Sequence, residues 1–110
     1  MNVVIDRSAV TEARANPFSL AGRVALVTGS SRGIGRSIAG ALMNAGAHVV
    51  LHGRDDRGLA AAVEQFSSAG LAASHVTADV TDETAMSIAL EQIVTRQGRL
   101  DILVNNAGIS

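Results

Sequence analysis

From Arg23 to Val104, short unbroken apolar runs alternate with longer stretches in which apolar residues return every third or fourth position. Val24-Ala25-Leu26-Val27, bounded by Gly22 and Gly29, is the first such run, and its continuity suits a strand buried on both faces of a parallel sheet. Behind it Ile34, Ile38, Leu42 and Ala45 recur at helical spacing, and Gly46 closes the segment as a helix C-terminal glycine does. Val49-Val50-Leu51 reads as a second strand. Asp55 or Asp56 can cap a second helix carrying Leu59, Val63 and Phe66 on one face and ending near Gly70. Residues 72–78 form a third strand, and Asp82 opens a third helix whose positions 85/86, 89/90 and 93/94 make a broad apolar stripe up to Gly98. Leu100 to Val104 is the fourth strand.

Strands alternating with helices predict an α/β fold with a parallel sheet covered on both faces. Right-handed crossovers restrict the topology sharply, and the expected arrangement is the first half of a doubly wound (Rossmann) sheet, four strands in the order 3-2-1-4. That order sets strands one and four side by side at the switch point, where ligands bind beyond the carboxyl ends of the strands. Those ends carry Thr28-Gly29 and Asn105-Asn106. Residues 1–20, which lack a sustained period and hold the only proline, Pro17, are expected to be a lead-in arm to a single domain over 21–110.

The chain has 110 residues, 47% of them hydrophobic, and a net charge of −1 with both signs scattered. That balance gives no electrostatic case for nucleic acid or an anionic membrane as partner. There is no cysteine, which excludes disulfides and thiolate metal sites, and His48, His52 and His75 are not spaced as a metal set. The N-terminus shows no leader pattern, and no apolar run reaches membrane-spanning length, so the cytoplasm is the expected location.

The chemistry concentrates in Thr28 to Gly35, TGSSRGIG, between a strand and an amphipathic helix. Glycines permit a tight turn, and the helix N-terminus offers backbone N–H groups to an anion. The spacing Gly29, Gly33, Gly35 departs from G-x-G-x-x-G, and no lysine stands where a nucleotide triphosphatase loop needs one.

TGSSRGIG resembles the T-G-x-x-x-G-x-G signature of the short-chain dehydrogenase/reductase family, Asn105-Asn106-Ala107-Gly108 resembles its N-N-A-G motif, and Asp79-Val80 resembles the D-V pair after its third strand. The lead-in PFSLAGRVALVTG is most similar to gluconate dehydrogenase-like and ketoacyl carrier-protein reductase-like members. The resemblance makes 21–110 an incomplete dinucleotide-binding domain. It implies that Gly29, Ser31, Arg32, Gly33, Ile34 and Gly35 cradle the ribose and pyrophosphate of a nicotinamide dinucleotide, that Asp79 and Val80 meet the adenine, and that Asn105, Ala107 and Gly108 line the groove and brace the sheet.

In such folds an acid at the end of the second strand takes the ribose 2′-hydroxyl of NAD, whereas an arginine accommodates the 2′-phosphate of NADP. Here the strand ends at Gly53 and Arg54 follows, so NADP is expected, with Arg54 and Arg32 as its phosphate ligands. Asp55 is the competing residue for NAD, and its position suits a helix cap.

The family's proton-transfer residues, a Ser and a Y-x-x-x-K pair, follow the N-N-A-G motif. This sequence contains no tyrosine, so no catalytic residue is assigned, and the chain is expected to stop mid-fold before that machinery. Two functions follow as expectations. One is the cofactor-binding portion of an NADP-dependent oxidoreductase acting on a carbonyl or alcohol substrate, inactive by itself. The other is a non-catalytic dinucleotide-binding module. Strand four is expected to lie at an unpaired sheet edge, and neither substrate nor oligomeric state is readable from the sequence.

Overall fold

The computed structural model describes residues 2–5 and 19–107. Among them the chain runs β1 (Asn2–Ile5), β2 (Val24–Val27), α1 (Gly33–Asn44), β3 (His48–Gly53), α2 (Asp56–Ser68), β4 (Ala73–Thr77), α3 (Glu83–Gln97) and β5 (Ile102–Asn105). The four expected strands β2 to β5 are parallel neighbours in the expected order, β4-β3-β2-β5. Val27 pairs with Leu51 on one side and Val104 on the other, which aligns the carboxyl ends of β2, β3 and β5.

One expectation fails at the far side. β5 is not an edge strand, because β1 pairs with it antiparallel, Asn2 opposite Asn105 and Ile5 opposite Ile102. The physical reason is the row of backbone donors and acceptors that an uncovered β5 would leave open, which a β-branched run such as Val3-Val4-Ile5 can satisfy. An antiparallel edge strand on an otherwise parallel sheet is a common solution. Most of the expected lead-in arm, residues 6–18, lies outside the described residues.

The continuous apolar runs bury both faces of the sheet. Ala25, Val27, Val49, Leu51, Ile102 and Val104 pack under α1 and α2, meeting Ala39, Met43, Leu59 and Ala62. The alternate positions Val24, Leu26, Val50 and Val76 pack against Ala89 and Ile93 of α3. The buried face of α1 is Gly35-Ala39-Met43, with Ile38 and Leu42 beside it, while Ile34 is 62% exposed. The apolar stripe therefore sits one position round from the expected one, because the start of α1 is pressed against the turn that precedes it.

Local signals at the helix ends are realised unevenly. Asp82 caps α3 by accepting the Ala85 N–H at 3.0 Å, and Gly98 ends that helix at φ +82°. Asp55 stands at the cap position of α2 but makes no capping hydrogen bond. Its carboxylate lies over Gly58, where a Cβ would come within 2.7 Å of Asp55 Oδ2.

At the end of the sheet opposite the switch point, Asp101 is buried and heavily tied. It accepts the Val24 N–H at 2.9 Å and a two-pronged contact from Arg99, and Arg23 Nη1 lies 3.6 Å away, itself buried. Burial alone would raise the carboxyl, but the Arg99 fork, the Val24 N–H and the Arg99 and Arg23 charges outweigh it and hold it below the usual carboxylate range.

Candidate functional site

Thr28, at the end of β2, joins the two strand ends that flank the switch point. Its N–H donates to the Val104 carbonyl at 3.0 Å, and its hydroxyl oxygen accepts the N–H groups of Asn106 and Ala107 at 2.9 and 3.1 Å. Asn105 takes part through its side chain, whose Oδ1 is 3.2 Å from the Thr28 hydroxyl. Asn106 donates from Nδ2 to the Gly29 carbonyl at 3.1 Å. The N-N-A segment is thus bolted to the glycine turn across the sheet.

The turn itself depends on missing Cβ atoms. Gly29 has φ +61°, and a Cβ there would sit 3.0 Å from Ala107 Cα. A Cβ at Gly35 would collide with the Gly29 carbonyl oxygen and lie 2.5 Å from Asn106 Nδ2. Helix α1 therefore begins directly against the turn. Its N-terminus has no side-chain cap and no acidic residue in the first turn, which leaves its positive end available to an anion.

Beyond these strand ends lies a groove of about 790 Å³ lined by Gly29, Ser31, Arg32, His52, Gly53, Arg54, Asp55, Gly58, Asp79, Val80, Thr81, Asn106 and Ala107. Seven of the expected site residues meet there: Gly29, Ser31, Arg32, Arg54, Asp79, Val80 and Ala107. Gly33 and Ile34 line a separate, shallow concavity between α1 and Phe66, and Gly35 and Asn105 support the turn from behind. Gly108 lies outside the described residues.

The groove carries opposed charges. Arg54, 79% exposed, lies 4.0 Å from Asp79 Oδ2. Asp79 accepts the Thr81 N–H at 2.9 Å and the Thr81 hydroxyl at 2.7 Å, and these bonds hold its carboxyl below the usual range, with smaller help from the Arg54 charge. Asp55, expected as a helix cap, instead joins the groove lining.

Sequence reasoning gave no binding role to His52, Gly53, Gly58, Thr81 or Asn106, which also line the groove. His52 carried a usable signal: it shares the strand face of Val50, and a polar residue at a buried position needs partners. Among the described residues no group of three or more His, Asp or Glu side chains is placed to hold a metal ion, and no helix is long and apolar enough to cross a membrane.

A sequence profile for the family described as short chain dehydrogenase matches residues 23–110, the whole span from β2 through the N-N-A-G motif. The chain belongs to the short-chain dehydrogenase family. Among curated members of that family, gluconate 5-dehydrogenase of Gluconobacter oxydans is 49% identical over 92 residues, covering 84% of this chain and 36% of that protein. Among solved short-chain dehydrogenases, 2-keto-3-deoxy-D-gluconate dehydrogenase from Streptococcus agalactiae superposes with a TM-score of 0.78 at 42% identity, covering 84% of this chain and 35% of the other. RhlG of Pseudomonas aeruginosa, solved as an NADP active-site complex, superposes with a TM-score of 0.74 at 44% identity, over 81% of this chain and 36% of that one. The chain therefore spans little more than a third of the length of the short-chain dehydrogenases it matches.

Proposed function

We propose that residues 21–110 form the dinucleotide-binding part of an NADP-dependent short-chain oxidoreductase that moves hydride between nicotinamide and a carbonyl or alcohol substrate. The observation that carries this reading is the groove at the switch point, where a glycine turn, an uncapped helix N-terminus and two arginines converge. The fit to a dinucleotide rests on the turn at Gly29 and Gly35, whose missing Cβ atoms let Ala107 and the start of α1 close against the turn and bring the uncapped helix N-terminus to the groove.

In this reading the turn from Gly29 to Gly35 and the start of α1 hold the pyrophosphate, and Arg32 and Arg54 take the 2′-phosphate. Asp79 and Val80 border the adenine, and Asn105, Ala107 and Gly108 brace the far wall. The bound nicotinamide supplies or accepts the hydride. The residues of this chain bind and orient it, and none of them is assigned the proton transfer, since the sequence holds no tyrosine. A cytoplasmic location accompanies this proposal.

A second reading has one observation in its favour: Asp55 lines the groove and its carboxylate is not engaged as a helix cap, which leaves it able to accept the ribose 2′-hydroxyl of NAD. The test is a calorimetric titration with ADP-ribose and its 2′-phosphate. Charge-assisted bonds of about 1.5–3 kcal/mol each predict roughly ten- to several-hundred-fold tighter binding of the phosphorylated ligand. Arg54→Ala should remove most of that preference. Equal affinities, or tighter binding of ADP-ribose that Asp55→Asn abolishes, favour NAD.

A further inference from the structure

His52 is 1% exposed, yet its imidazole joins two separate parts of the groove wall. Its Nδ1 lies 3.1 Å from the Gly29 nitrogen, whose N–H donates to it. Its Nε2 lies 2.9 Å from the Ala78 carbonyl, which can only accept. Its backbone is bolted to the same turn: the His52 N–H donates to Ser30 Oγ at 2.9 Å, the Ser30 N–H donates to the His52 carbonyl at 2.8 Å, and Ser30 Oγ donates to the Val27 carbonyl at 2.6 Å. The two ring contacts permit one arrangement, a neutral ring with its proton on Nε2.

We propose that His52 is a positioning residue: its neutral imidazole aims the first peptide of the glycine turn and ties it to the exit of β4, and protonation of the ring releases that turn and weakens dinucleotide binding. A second ring proton would point Nδ1–H at the Gly29 N–H, turning a hydrogen bond into a clash of two donors. The ring therefore couples the wall that receives the pyrophosphate to Asp79 and Val80 on the opposite wall. This rests on the dinucleotide reading of the groove for its ligand, but not for its geometry.

Burial holds the His52 ring below the ordinary imidazole range, opposed by its bond to the Ala78 carbonyl and by the Asp79 carboxylate. Asp79 after β4, Arg32 in the turn and Arg54 and Asp55 after β3 are the charged side chains that share its groove. A depressed imidazole contributes its stabilisation fully above the ordinary value of 6.5 and loses it as the pH falls through the folded value. The neutral ring is thus the form present at pH 7.

The test uses the 110-residue chain in two arms. In the first, long-range nitrogen–proton NMR follows the His52 ring while amide exchange follows Gly29 from pH 8 to 5. The expected result is the Nε2–H tautomer at high pH and loss of Gly29 protection in step with ring protonation. A ring with the other tautomer, or a Gly29 amide indifferent to the His52 titration, overturns the proposal whether or not any ligand binds.

In the second arm, ADP-ribose is titrated across the same range, because its pyrophosphate keeps its charge there and leaves the protein as the titrating partner. Wild-type affinity should fall about tenfold on acidification. His52→Asn, which retains an acceptor near the Gly29 N–H but cannot protonate, should bind within a few-fold of wild type at pH 7.5 and lose the pH dependence. His52→Phe should bind weakly at every pH. An undiminished acid response in His52→Asn sinks the proposal. Absence of ADP-ribose binding by the wild type, with the first arm positive, overturns instead the dinucleotide reading and the ligand half of this one.

Discussion

Replacing Asp101 with alanine is expected to cost about 3–5 kcal/mol of folding stability, the usual effect of removing one partner from a buried ion pair. The side chain is 3% exposed and receives the Val24 N–H, the Arg99 fork and the Arg23 charge, so alanine leaves buried donors facing a void. Against a total stability of about 5–15 kcal/mol typical of a domain, this shift is large enough to read directly as a lower urea midpoint. The carboxylate's depressed titration adds a pH signature. Its contribution is complete above the ordinary value of 3.8 and disappears as the pH falls through the folded value. Wild-type stability should therefore drop in that acid window, and Asp101→Ala should lack this part of the drop. A variant within about 0.5 kcal/mol of wild type at neutral pH would show that the cluster is not a structural tie.

The second large effect is at Gly35. Alanine there places a Cβ against the Gly29 carbonyl oxygen and Asn106 Nδ2, and neither the turn nor β5 can retreat without breaking the Thr28 bonds. Overpacking of this kind costs about 1–3 kcal/mol and more where backbone is the obstacle. Because the displaced peptide belongs to the turn proposed to hold the pyrophosphate, NADP affinity should fall about a hundredfold or more, which is about 2.7 kcal/mol. Gly40→Ala serves as the comparison. Its Cβ would meet only the Phe66 ring at 3.5 Å, so helix propensity should leave that variant as stable as wild type or more so. If Gly35→Ala keeps wild-type affinity while folded, the close approach of α1 to the turn is not what shapes the site.

Most of the sheet was legible because its signals are local and redundant. The runs at residues 24–27, 49–51 and 100–104 are too short for helices and too apolar for loops, and glycines mark their ends. Asp82 and Gly98 delimit α3 as their chemistry requires. β1 was not legible, because a four-residue run has no period of its own and its partner lies about a hundred residues away. The same distance hid the groove's working surfaces. Asn106 was passed over for Asn105, although the two differ only in which side of β5 they leave, and that depends on the strand's register against β2. Asp55 looked like a cap because aspartate before a helix usually is one, but Gly58 lets its carboxylate lie elsewhere. His52 was given no role beyond its exclusion from a metal set, since a buried imidazole reveals its purpose only when both of its partners are known.

The proposed function requires a nicotinamide dinucleotide to bind in the groove at the carboxyl ends of β2, β3 and β5. Amide chemical-shift mapping of the labelled chain during an NADP titration tests it most directly. The expected result is saturable shifts confined to the turn from Gly29 to Gly35, to Gly53 through Asp55, to Asp79 through Thr81, and to Asn106 and Ala107. Shifts that do not saturate, or that gather instead on the α1 and Phe66 face around Gly40 and Ala41, would contradict it.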